Sequence, residues 1–171
     1  MWRPILVGGV FNAVNASVYE QRANPVPAKA RYYAKDLRDW ARSYGLRIGQ
    51  PPVFPVNSVK AMRGAFFALE HGVLPQYTCA IFEAYWGDLL DISQDAVLHP
   101  IVARVGLPVD EFARRVAAPE YKARLRENTD ELIARGGFGS PTMFVNSSDM
   151  YFGNDRLGLV REALQARPGP G

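Results

Sequence analysis

The sequence predicts an α/β protein in which a long helical block separates one short strand from a C-terminal hairpin and helix. Three observations carry this prediction. Met1–Gly9 (MWRPILVGG) is a short apolar run closed by Gly8-Gly9, which reads as a buried strand. From residue 28 to residue 135 apolar side chains recur at helical spacing with no strand signal between them. Beyond Gly136 the pattern changes abruptly to β-branched and aromatic residues on either side of a polar turn.

The segment from Asn12 to Pro27 reads as a loop, because Asn12, Asn15, Asn24 and nearby prolines break any period. Tyr33, Leu37, Trp40, Ala41 and Tyr44 then fall on one helical face, with Gly45 placed for a left-handed C-terminal cap, so a helix is expected over 28–44. After the proline-rich stretch Pro51–Pro55, Asn57-Ser58 opens a second helix that carries Met62, Ala65, Phe66 and Leu69 and ends before Gly72. Thr78, Ile81, Phe82, Tyr85, Trp86 and Leu89 give a third. Residues 91–105 give a fourth, capped by Ser93 and expected to be kinked or split at Pro100, whose ring removes an amide from the helical ladder. Pro108 starts a short fifth helix with Phe112 and Val116 inward, and Pro119–Arg135 forms a sixth before Gly136-Gly137. Thr142–Val145 and Met150–Phe152 then pair across Asn146–Asp149 as a hairpin, Leu157, Leu159, Val160 and Leu164 make a last amphipathic helix, and a tail at Arg167–Gly171 should fray.

Composition narrows the function classes. With 171 residues, 48% of them hydrophobic and 22% charged, the chain can bury a core and is not a disordered segment. Its 20 basic residues against 17 acidic ones leave a net charge of +3, and the two signs alternate, as in Lys35, Asp36, Arg38, Asp39 and Arg42. That pattern is a solvated helix face and argues against a nucleic-acid partner. A single cysteine, Cys79, rules out an internal disulfide, a CxxC redox pair and a cysteine-rich zinc site, and its apolar neighbours suggest a small buried core residue. His71 and His99 stand far apart without a second ligand at metal spacing. No apolar run is long enough to span a membrane and no secretory signal opens the chain, which leaves the cytoplasm as the default compartment.

Several polar residues could carry chemistry, and each has an ordinary structural role beside it. Asn154 and Asp155 at the start of the last helix suit an N-cap and a carboxylate favourable to the helix dipole. Asn57 suits a helix cap, Lys29 an exposed helical start, Asn15 a turn, and Ser140-Pro141 the entry to a strand.

In GGFGSPTMFV (136–145) and YFGNDRLGLVREAL (151–164) the chain resembles the thioredoxin-like family of 2-hydroxychromene-2-carboxylate isomerases, kappa-class glutathione transferases and DsbA-type oxidoreductases. WRPILVGGVF (2–11), VPAK (26–29), FPVNS (54–58) and AYWGDLLDIS (84–93) resemble landmarks of the isomerase branch in the same order, so the likeness covers essentially the whole chain. It implies an α/β, thioredoxin-like fold with an inserted all-helical domain, here 28–135, between two pieces of an incomplete thioredoxin-like domain, 1–27 and 136–171. In the family a strand and a helix precede the WRP strand, and the loop joining them carries a serine facing the glutathione sulfur. Residue 1 already stands inside the WRP strand, so the N-terminal βα unit, roughly 25–30 residues, is expected to be missing, through a truncated reading of a longer gene or in a short paralogue. The expected catalytic serine then lies upstream of residue 1, and no residue takes its role by motif.

The resemblance further implies that glutathione is the cofactor and that the partner is a small aromatic substrate. Ser140 would offer main-chain contacts to the cysteinyl part of glutathione beside a cis-Pro141. Asn154 and Asp155 would hold the γ-glutamyl group, with Asn15 at the edge and Lys29 and Asn57 toward the substrate. The implied activity is glutathione-dependent cis–trans isomerisation of 2-hydroxychromene-2-carboxylate or a related benzylidenepyruvate in aromatic catabolism, by a possible homodimer. Kappa-type conjugation, DsbA-type exchange and a non-catalytic binding paralogue are the alternatives.

Overall fold

The computed structural model describes residues 1–166; the tail expected to fray, Arg167–Gly171, lies outside them. The order is α1 (Val7–Val14), α2 (Ser17–Ala23), α3 (Pro27–Ser43), α4 (Val59–Glu70), α5 (Leu74–Phe82) with a π-helical turn at Glu83–Gly87, α6 (Asp95–Arg104), α7 (Val109–Ala117) and α8 (Pro119–Ala134). Strands β1 (Thr142–Val145) and β2 (Asp149–Phe152), a 3-10 turn at Asn154–Arg156 and α9 (Leu157–Gln165) follow.

The core is where the helical spacing predicted it. Phe66 and Phe67 of α4, Tyr77 of α5, Leu98 of α6, Phe112 of α7 and Tyr121 of α8 are almost wholly buried against one another. Gly64 allows the closest approach within this core, because a Cβ there would stand 2.5 Å from the Phe112 ring and 2.3 Å from the Tyr77 hydroxyl. That hydroxyl donates to the Ala61 carbonyl at 2.9 Å. On the rim, Glu70 accepts from Tyr121 (2.5 Å), Arg115 (2.9 Å) and Arg124, joining α4 to α7 and α8. Burial pushes the Glu70 carboxyl up, but the three donors outweigh it and hold the group below its ordinary range. Tyr121 moves the other way, pushed up to about 12 by burial first and then by its bond to Glu70.

Six local readings are corrected. Residues 1–6 form no strand: among the described residues β1 pairs only with β2, and main-chain groups of Pro4 and Leu6 bond to α8 instead. Asn128 Nδ2 donates to the Pro4 carbonyl at 2.9 Å and the Leu6 amide donates to Thr129 Oγ1 at 3.0 Å, so side chains replace a ladder. Gly8-Gly9 does not end an element but starts α1, with the Gly9 and Val10 amides both directed at the Leu6 carbonyl. A Cβ at Gly9 would lie 3.3 Å from Thr129 Cγ2, so the missing side chain lets α1 pack on α8. The expected loop 12–27 contains the rest of α1 and the short helix α2.

Pro100 neither splits nor ends α6, which runs unbroken from Asp95 because Leu98, Ile101 and Val102 are anchored in the core. Its cap position is Gln94, not Ser93; Ser93 instead donates its amide to Asp91 Oδ1 at 3.0 Å in the preceding turn. Cys79 is exposed on α5, since the buried face of that helix belongs to Leu74, Tyr77, Ala80 and Ile81.

α3 shows how far spacing can be trusted. It occupies nearly the expected residues and closes on Gly45 at φ +66°, with the Leu46 amide returning to the Ala41 carbonyl. Yet only Ala41 of its apolar stripe is buried, and Tyr33 is 64% exposed. The period fixes the helix and not what covers it.

Candidate ligand-binding site around Ser140 and Pro141

The hairpin brings the two halves of the candidate site together. β1 and β2 are antiparallel, with Thr142 opposite Phe152 and Val145 opposite Asp149. One residue further on, the Gly153 amide donates to the Pro141 carbonyl at 3.1 Å. Ser140-Pro141 therefore lies beside Asn154-Asp155 although 12 residues separate Pro141 from Asn154 in sequence. The Ser140–Pro141 peptide is cis, as the family resemblance implies; Phe54–Pro55, where no cis bond was expected, is cis as well.

Packing fixes the approach to this pair. A Cβ at Gly139 would fall 2.8 Å from the Phe152 ring and 3.8 Å from the Phe11 ring of α1. The Phe138 and Phe152 rings meet at 4.5 Å. Asn15, just past α1, donates through Nδ2 to the Phe138 carbonyl at 3.1 Å while its Oδ1 accepts from Ser17 at 3.2 Å. Asn15 is thus a brace between the first two helices and the Ser140 turn, at the edge of the site.

The start of the last helix departs from the expected cap. Gly153, at φ +100°, occupies the cap position of the 3-10 turn, and Asn154 makes no side-chain capping bond. Asn154 and Asp155 are both exposed, and α9 begins only at Leu157. The Asp155 carboxylate folds back so that Oδ1 lies 2.6 Å from where a Gly153 Cβ would be, and it is the φ of Gly153 that favours glycine there. Oδ2 accepts from Arg156 at 2.5 Å, leaving the carboxylate with unused acceptor positions.

Lys29 and Asn57 are placed apart from this pair. Lys29 is exposed on the first turn of α3, and Asn57 Oδ1 accepts the Val59 amide at 3.2 Å to open α4. No hydrogen bond or ion pair joins either to the Ser140 loop among the described residues. What does reach toward them is a group the sequence reading passed over. Arg22 of α2 lies 5.6 Å above the Phe11 ring and 5.3 Å above the Phe54 ring, bridging α1 to the Phe54–Pro55 loop. Its position inside the supposed loop 12–27 hid it, and the adjacent Val18-Tyr19 pair was the available signal for a helix there. Among the described residues no group of His, Cys, Asp and Glu side chains could hold a metal ion. No helix in them is long and apolar enough to cross a membrane.

A helical block followed by a two-stranded antiparallel hairpin and a terminal helix is the arrangement of a helix-rich, DsbA-like thioredoxin-fold protein. The chain belongs to the family of DsbA-like thioredoxin domains, whose profile matches residues 1–165. It is 29% identical over 138 residues to a 2-hydroxychromene-2-carboxylate isomerase of Pseudomonas putida, covering 80% of this chain and 66% of that protein. It is 30% identical over 170 residues to glutathione S-transferase kappa 2 of Caenorhabditis elegans, covering 87% of this chain and 74% of that one. The chain thus spans just under two thirds of the Pseudomonas isomerase. A solved 2-hydroxychromene-2-carboxylate isomerase superposes with a TM-score of 0.79 at 24% identity over 96% of this chain and 79% of the other, which establishes the shared fold.

Proposed function

We propose that the chain takes part in glutathione-dependent cis–trans isomerisation of an aromatic 2-oxo or 2-hydroxy carboxylate of the 2-hydroxychromene-2-carboxylate type. The observation that carries this reading is the Gly153–Pro141 hydrogen bond, which brings the exposed residue Ser140 toward the exposed residue Asp155. A peptide-like ligand with an ammonium group suits that pairing: main-chain groups at Ser140 meet its amides, and Asp155 accepts from its nitrogen. Glutathione has this chemistry. When bound, it would supply a thiolate that adds to the conjugated double bond and leaves after rotation about the resulting single bond.

The protein's own share is binding and orientation. Asn15 keeps the Phe138–Ser140 turn in place, and Arg156 shares Asp155 without exhausting it. The aromatic surface of Phe11, Phe54, Phe138 and Phe152 offers a resting place for an aryl acceptor next to the Ser140 loop, with Arg22 available to a carboxylate. The names of the relatives support the same chemistry and admit a second outcome, kappa-type conjugation, in which an adduct leaves in place of an isomer.

The test is a titration with reduced glutathione followed by amide NMR. Saturable shifts at Ser140, Gly153 and Asp155 are expected, together with loss of 2-hydroxychromene-2-carboxylate absorbance that requires glutathione. An adduct in the product mixture would assign conjugation. Absence of any saturable shift at those three amides into the millimolar range would refute the binding site itself.

A further inference from the structure

Among the described residues, three lysine or arginine residues are partly buried: Arg63 of α4, Arg115 of α7 and Arg124 of α8. Arg115 and Arg124 are both neutralised by Glu70. Arg63 forms no ion pair among the described residues. Its Nη1 donates to the Val116 carbonyl at 3.1 Å, in the last turn of α7, and its Nε is buried without an acceptor. A guanidinium carries five N–H donors, and drawing its charge out of water costs free energy unless an anion stands beside it. The Val116 carbonyl takes up one donor and leaves the charge unneutralised.

Arg63 lines a cavity of about 330 Å³ between α1, α4 and α8. The larger apolar residues lining it are all aliphatic: Leu6 at the start of α1, Val59 of α4, and Leu125 and Ile133 of α8. Lys122 and Arg126 line it as well; Arg126 lies 3.5 Å from Asp130, which leaves Arg63 and Lys122 as the charges without a counter-ion. We propose that this cavity binds an aliphatic monocarboxylate of medium chain length, with its carboxylate at Arg63 and Lys122 and its alkyl chain on the aliphatic lining. A carboxylate supplies the acceptor charge that Arg63 lacks. The volume stands at the low end of the usual ~300–1,000 Å³ for a ligand cavity, which suits a small molecule. A lining without aromatic rings offers nothing for an aryl group to stack on and favours an alkyl chain. None of these residues belongs to the Ser140 turn, so the inference stands or falls apart from the glutathione reading.

The probe is sodium octanoate below its micelle concentration, titrated into the full chain and followed by amide NMR. Saturable shifts are expected at Gly9, Arg63 and Ile133. Each buried methylene is worth about fourfold in affinity, so butanoate should bind at least about tenfold more weakly. Octylammonium has a similar chain and the opposite charge, and it should give no saturable shift there. Lys122→Glu reverses an exposed charge in the first turn of α8, where a glutamate suits the helix dipole, so the melting temperature should hold while octanoate binds about fivefold or more weakly. Arg63→Met keeps the apolar stem, removes the charge and should weaken octanoate by about tenfold or more. If that variant melts early through loss of the Val116 bond, Lys122→Glu decides alone. Absence of saturable shifts into the millimolar range, shifts at Ser140 and Gly153 in their place, equal binding of octylammonium, or unchanged affinity in Lys122→Glu overturns the proposal.

Discussion

The block from α4 to α8 and the segments that flank it are built on opposite terms. In the block, aromatic and branched side chains interlock at nearly complete burial, and Glu70 ties three helices together at the rim. In the flanks, α2 and α9 bury no residue, α3 buries only Ala41, and β2 is largely exposed. The candidate site lies entirely in the flanks. A rigid platform with an open, sparsely packed rim separates stability from binding: the residues that hold the fold are not those positioned to meet a ligand, and the two properties should respond to different substitutions.

The largest effect is expected in the block. Phe112→Ala empties a position that touches Phe67 and Tyr77, and it should cost about 3–5 kcal/mol of unfolding free energy by urea denaturation. Phe152→Ala, on the 38%-exposed ring of β2, should cost less than about 1.5 kcal/mol, since much of that ring is already in water. Equal losses at the two positions would erase the distinction between platform and rim.

Binding should reverse that order. Asp155→Ala is predicted to weaken glutathione by about 1.5–3 kcal/mol, the usual range for a lost charge-assisted contact, while stability falls by less than about 1 kcal/mol. Titration calorimetry and thermal melting on the same samples decide it. An unaltered dissociation constant with a much lower melting temperature would make Asp155 a structural partner of Arg156 and nothing more.

Acid should probe the platform rather than the rim. Glu70 has a lowered carboxyl in the folded state, so the unfolded chain binds its proton more readily, and the stability it contributes is present above the ordinary carboxylate value of 4.5 and lost as pH falls through the folded one. Glu70→Gln should flatten the fall in stability below about pH 4.5 and cost about 1–2 kcal/mol at neutral pH, because Arg115 and Arg124 lose their acceptor charge. An acid limb unchanged in the variant would mean that other carboxylates set it.

What the sequence discloses follows the same division. Helices α4, α7 and α8 are legible because their apolar spacing answers to the core they enter, with Pro108 and Pro119 marking the starts of α7 and α8 and Gly72 and Gly136 the ends of α4 and α8. α1 and α2 are not, because Gly9 marks close packing on Thr129 of α8, a contact more than a hundred residues away that no local pattern encodes. The Met1–Gly9 run has a strand's composition, but composition cannot supply the neighbour that a ladder needs. At the site, Ser140-Pro141 and Gly153–Asp155 are legible only through the family resemblance, since each has an adequate local role. Arg22 is legible by neither route, because its importance comes from two aromatic rings, Phe11 on α1 and Phe54 in the loop before α4, that only the fold brings together.

The smallest predicted effect tests whether the rim, though loosely packed, is organised. Asn15 is half-buried and spans two interactions, giving its amide hydrogen to the Phe138 carbonyl and accepting from Ser17. Asn15→Ala removes both, yet water can reach the exposed carbonyl, so the stability cost should stay near 0.5–1 kcal/mol, roughly one net hydrogen bond. The consequence should appear in position rather than in stability. Freed from α1, the Phe138–Ser140 turn would sample more conformations, and glutathione would have to order it on binding, which weakens affinity by about threefold to tenfold. Asn15→Asp separates the two bonds: the carboxylate still accepts from Ser17 but cannot donate to Phe138. If Phe138 is the contact that matters, the aspartate variant should bind glutathione as weakly as the alanine variant. Recovery of affinity in the aspartate variant would place the ordering role on α2 through Ser17 instead.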